Sequence, residues 1–98
     1  MKLVLDTPIR KADIEITELE LREPTADDLI KLGYPYVLNQ NEEAVFVPKI
    51  IYNWLSTLSN EPPSVIKKIP FNKVEEFKYR LFAFFTLSPE EAKANWAD

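Results

Sequence analysis

The sequence predicts an α+β fold, with an N-terminal β-hairpin packed against a small bundle of about three helices, on three observations. Residues 2–22 hold two runs in which apolar and charged side chains alternate, as they do in half-buried strands. Val47, Ile50, Ile51, Trp54, Leu55 and Leu58 recur with the i, i+3, i+4 rhythm of an amphipathic helix. Val74, Phe77, Leu81, Phe84 and Phe85 repeat that rhythm in a second stripe. At 98 residues the chain builds one core and no second one. The predicted domain covers residues 1–87, followed by a flexible or partner-dependent tail over 88–98.

The hairpin comes first. "KLVL" and "IEITELELR" read as strands joined through "DTPIRKAD". Ile14 and Ile16 share one parity and Leu19 and Leu21 the other. Because side chains alternate with a period of two, that switch calls for one extra residue, a bulge or a bend near Thr17–Glu18.

The corner "LELREPTADDL" follows. Pro24 pushes Glu23 toward an extended conformation and ends the strand. Thr25 is placed as N-cap, Asp28 completes a capping-box pattern three residues later, and Asp27 and Asp28 favour the helix N-terminal dipole. Pro24 and Leu29 occupy the positions of a hydrophobic staple. Gly33 closes this short helix.

"YPYVLNQNEE" reads as a connection anchored by Tyr34, Tyr36 and Leu38. The next helix either begins with Pro48 in its first turn or starts near Glu42 and kinks at Pro48; the sequence leaves both open. "SNEPPS" ends it, and Ser64 is placed to cap the short turn "VIKKI". Asn72, with Glu75 in the capping-box position, opens the last strong helix. The tail "SPEEAKANWAD" starts well as a helix but offers only Ala92 and Trp96 for burial, so fraying is expected.

Composition then narrows function. With no Cys and no His, the chain has no thiolate nucleophile, disulfide, imidazole base or usual zinc ligand. The single Gly rules out a Gly-rich phosphate cradle. A net charge of −4 argues against nucleic-acid binding, which needs a surplus of Lys and Arg on one face. No run approaches the ~18 apolar residues of a membrane span, and no apolar signal core opens the chain, so a soluble intracellular protein is expected.

The candidate chemical groups read better as structure. Asp27 and Asp28 point about 100° apart on a helix, poor geometry for a shared proton, and capping explains them. "NEE" at residues 41–43 lacks the Gly and ligand spacing of a calcium loop. Arg22 suits a surface ion pair with a neighbouring acid, and Trp54 suits the core. No enzyme, cofactor or metal site is expected. Six aromatic residues between Phe71 and Phe85 are harder to absorb, because one helix face of ~100° does not bury them all in so small a domain. Exposed aromatic patches mark protein contacts.

The strand carrying "TPI", the corner Leu21-Arg22-x-Pro24-Thr25-x-x-Asp28-Leu29 and the helical half with "LSTLSNEPPSVIKKIPFNKVEEF" together resemble the small tail assembly chaperones of contractile-tailed phages and prophages. The resemblance spans roughly residues 2 to 86. Asn72 stands where many relatives have an acid and Asp13 where they often have Gly; both departures are compatible with capping and turn chemistry.

The resemblance implies a non-enzymatic role in the host cytoplasm: binding and solubilising the tape measure protein during tail morphogenesis, without remaining in the mature virion. It also implies possible partners in the protein's own frameshifted longer form and in itself, with no nucleic acid or membrane among them. The alternative is a small structural virion protein, a tail-completion or connector subunit. Val74, Phe77, Leu81 and Phe85 are expected to face the core. Tyr79, Phe82 and the tail with Trp96 are then the expected partner-binding surface, unless the hairpin or "YPYVL" folds over them.

Overall fold

The computed structural model describes residues 1–97. Strands β1 (Lys2–Lys11) and β2 (Ile14–Glu20) form an antiparallel hairpin with a two-residue turn at Ala12 and Asp13. The turn is tighter than the eight-residue connection expected, and Ala12 takes a left-handed conformation, φ 55°. Leu3 pairs with Leu19 and Ile9 with Ile16, in two registers. Between the Val4–Glu18 and Ile9–Ile16 pairs β1 carries residues 5–8 and β2 only Thr17. The discontinuity is at the expected place, but the surplus residues belong to β1. Pro8 lacks an N–H and cannot continue the ladder, so the irregularity falls on its strand. The shift lets Leu3, Leu5, Ile9, Leu19 and Leu21 all enter the core despite the parity switch in β2.

Helix α1 (Ala26–Leu32) follows the corner. The segment read as a connection is instead a second hairpin, β3 (Tyr36–Leu38) and β4 (Ala44–Phe46). Its loop is organised by Asn39, whose side-chain oxygen accepts from the N–H groups of Asn41 and Glu43, each at 2.9 Å. This Asx-type bonding supplies the turn without Gly.

Helix α2 (Pro48–Ser59) has Pro48 in its first turn, which settles the choice left open. Helix α3 (Pro63–Ile66) starts before Ser64, with Pro63 in its first turn, so Ser64 is not its cap. Helix α4 (Phe71–Thr86) likewise starts one residue ahead of the expected Asn72 cap. The Pro70 carbonyl accepts from Lys73 and Val74 there, and Glu75 pairs with Lys78 at 2.6 Å instead of closing a capping box.

The tail, where fraying was expected, holds helix α5 (Pro89–Trp96). Ser88 accepts from the Glu91 N–H as its N-cap. Ala92 is buried, and Trp96 is 3% exposed. The Trp96 ring meets Phe84 at 5.3 Å and Phe77 at 6.1 Å, and its Nε1 donates to the Leu21 carbonyl at 3.4 Å. One indole therefore holds the tail to both α4 and the end of β2. Asp98 lies outside the described residues.

The core lies between the inner face of the β1–β2 hairpin and helices α2 to α5. Trp54, Leu55, Ile66, Phe77 and Leu81 sit at its centre. Val74, Phe77 and Leu81 are buried as the α4 stripe requires, and Phe85 packs on the core edge.

Candidate functional site

Two places concentrate the residues singled out in the sequence: the corner between β2 and α1, and the outer surface of α4. At the corner, Thr25 is the N-cap of α1, its Oγ1 accepting from the Asp28 N–H at 3.3 Å. Asp28 Oδ2 accepts in return from the Thr25 N–H at 2.8 Å and the Thr25 hydroxyl at 3.0 Å. Arg22 then grips the same carboxylate with both ends of its fork, Nη1 to Oδ2 and Nη2 to Oδ1, each at 2.8 Å. Bidentate pairing of this kind is directional as well as strong. The hydrogen bonds from Arg22, opposed by burial and helped by Thr25, hold the Asp28 carboxyl well below the usual carboxylate range. The same pairing raises the Arg22 guanidinium.

The corner is also tied to distant elements. The Arg22 N–H donates to the Leu58 carbonyl at 3.1 Å, joining the end of β2 to α2. Gly33, at φ 81°, ends α1, and its carbonyl accepts from Trp54 Nε1 at 2.9 Å. Both Asp28 oxygens face donors on the chain itself, so the acid is engaged in holding the turn. That arrangement suits a structural joint. It offers neither a poised general base nor an open anion site.

The α4 surface contrasts with this. The β3–β4 hairpin lies across it: Tyr36 and Phe46 meet Phe82 edge-on at 5.0 and 5.2 Å, and Tyr34 and Tyr36 meet Phe85 at 5.4 and 5.7 Å. Phe82 is thereby half-buried, so part of the YPYVL segment does fold over it. Tyr79 is 62% exposed at the margin of the cluster, 6.5 Å from the Phe46 ring. Lys78 Nζ lies 4.6 Å from the Phe46 ring centre and 4.7 Å from that of Tyr79, a cation–π contact that fixes both rings.

Of the three residues expected to bind a partner, Tyr79 and Phe82 share this surface. Trp96 does not join them; it is buried on Phe77 and Phe84. The sequence reading overlooked the outer face of the β3–β4 hairpin. There the cross-strand partners Val37 and Val45 stand exposed, with Leu38 beside them. The signal was present in two short apolar runs, "YVL" and "AVF", separated by five residues rich in Asn.

Among the described residues, no cluster of three or more His, Cys, Asp or Glu side chains is placed to hold a metal ion. No helix among them is long and apolar enough to cross a membrane. A family model described as phage tail assembly chaperone proteins, E, or 41 or 14, matches residues 2–86. No curated protein and no solved structure matches the chain significantly.

Proposed function

Since the chain belongs to the phage tail assembly chaperone family, we propose that it binds the tape measure protein and keeps it soluble while the tail is built, then leaves before the virion is complete. The observation that carries this reading is the apolar surface left open beside α4: Tyr79, the half-buried Phe82 and the outward Val37–Val45 pair. A helical protein that will later be enclosed in a tube exposes an apolar stripe until then. An amphipathic helix of that kind lies naturally in an apolar groove on a small domain. The net charge of −4 keeps the resulting complex dispersed.

Binding of this type requires no catalytic group, cofactor or metal, and the Arg22–Asp28 pair serves to keep the platform rigid. The setting is the cytoplasm of the infected or lysogenic host, where tape measure protein is synthesised. Co-expression with the tape measure protein from the same phage or prophage tests the reading. The chaperone is expected to move its partner from the insoluble to the soluble fraction and to co-purify with it. Mass spectrometry of purified particles is expected to lack the chain; its stoichiometric presence there would identify a tail-completion or connector subunit instead.

A further inference from the structure

Charge is unevenly distributed along this acidic chain. Residues 44–74 contain Lys49, Lys67, Lys68 and Lys73 against Glu61 alone, so four lysines less one glutamate give that segment a formal +3. Glu61 is itself engaged by Lys11 at 3.2 Å. Lys49 in the first turn of α2, Lys67 and Lys68 just after α3, and Lys73 in the first turn of α4 therefore make this segment the basic part of a protein whose net charge is −4.

A groove of about 420 Å³ runs between these two helices, within the range of ligand-binding clefts. Tyr52, Pro63 and Ile66 make its apolar walls, Asn53 lies on its rim, and Lys49 and Lys67 flank it. Among the described residues neither lysine pairs with a carboxylate. No acidic side chain lines the groove. Tyr52 also lines a second depression of about 290 Å³ together with Phe46, Phe71 and Lys78, and Phe71 there is 74% exposed. Phe46 and Lys78 in turn touch Tyr79. The apolar surface thus continues from Tyr79 across Phe71 and Tyr52 into the groove, and its far end is flanked by unpaired positive charge.

We propose that the α2–α3 groove is a docking site for an amphipathic helix whose apolar stripe is flanked by Asp and Glu, with Lys49 and Lys67 pairing the carboxylates while apolar side chains pack on Tyr52, Pro63 and Ile66. This rests on the reading of the chain as a binder of a helical protein, and adds where the helix ends and what charge it carries. The two lysines select against basic helices as well as for acidic ones, since like charges across a contact oppose docking.

The test uses the full chain and two fluorescently labelled helical peptides of about 18 residues, roughly five turns. Both carry Leu at i, i+3, i+4 and i+7; one has Glu flanking the stripe and the other Lys. Fluorescence anisotropy is expected to show binding of the Glu peptide and none of the Lys peptide. Binding should weaken as ionic strength rises from about 0.05 M to about 0.5 M. The double variant Lys49→Glu/Lys67→Glu, whose changes are confined to exposed side chains, is expected to bind the Glu peptide at least about tenfold more weakly. Circular dichroism of the variant guards against a folding defect, and the single variant Lys67→Gln gives a milder loss if the double change unfolds the chain. Failure of the Glu peptide to bind, equal binding of both peptides, or an unchanged affinity in the folded variants overturns the proposal. Failure of tape measure rescue with this peptide binding intact would instead overturn the proposed function and leave the groove assignment standing.

Discussion

The β2–α1 corner and the α4 face are built from opposite materials. At the corner a nearly buried acid meets donors on both its oxygens, and the surrounding backbone is tied to α2 and through Leu21 to Trp96. On the α4 face, aromatic rings and a three-residue-stranded hairpin cover one another only in part, leaving Tyr79, Val37 and Val45 in water. A satisfied polar network resists change because each lost bond strands a partner. A partly covered apolar surface tolerates change and remains available to something else. A small domain that must be rigid and adhesive at once can keep the two properties apart in this way.

Substitution of Asp28 tests the contrast most severely. Asp28→Ala removes the capping box and strands the Arg22 fork, and is expected to lower stability by about 3 kcal/mol in urea denaturation. Binding per folded molecule should be unchanged. Acid tests the same group without mutation. Its carboxyl is held low in the folded chain, so the stability it contributes is fully present above the unfolded value near ~4 and is lost as pH falls below it. The difference in stability between the parent and Asp28→Asn should therefore shrink as pH falls from about 6 to about 2. A constant difference across that window would remove the charged pairing from the account.

Phe82→Ser comes next, because the ring packs against Tyr36 and Phe46 and is only partly buried. A loss of about 2 kcal/mol is expected, together with weaker rescue of the tape measure protein. Complete unfolding of this variant would place Phe82 in the core and outside the docking face. Thr25→Ala deletes one capping oxygen and should cost about 1 kcal/mol, again with binding intact. Lost binding at unchanged stability would turn the corner into a functional site.

The smallest effect on stability belongs to Tyr79→Ser. Its exposed position limits the change to about 0.5 kcal/mol, while co-expression rescue is expected to fall most for its size. If rescue is untouched, the docking surface lies elsewhere, and the α2–α3 groove becomes the first place to look.

How much of this was legible in the sequence follows from the distance over which each feature is decided. The hairpin, the Thr25 cap, the end of α1 at Gly33 and the stripes of α2 and α4 depend on residues within a few positions of one another. Side-chain periodicity and local hydrogen bonds are enough to specify them. The cap of α4 was misread although it too is local, because Pro70, with its fixed φ and free carbonyl, starts the helix ahead of Asn72. Only tertiary structure decided the rest. Arg22 could have paired with several nearby acids, and the burial of Asp28 selected that one. Trp96 was expected on a partner-binding surface because its own segment has so little to bury. It is held by contacts with Leu21, Phe77 and Phe84, the first of them 75 residues away. The division of the α4 aromatics into covered and open rings likewise awaited the β3–β4 hairpin, whose placement depends on which rings meet across some 40 residues of intervening chain. Periodicity states which face of an element is apolar, but only the packed chain determines whether the protein itself covers that face.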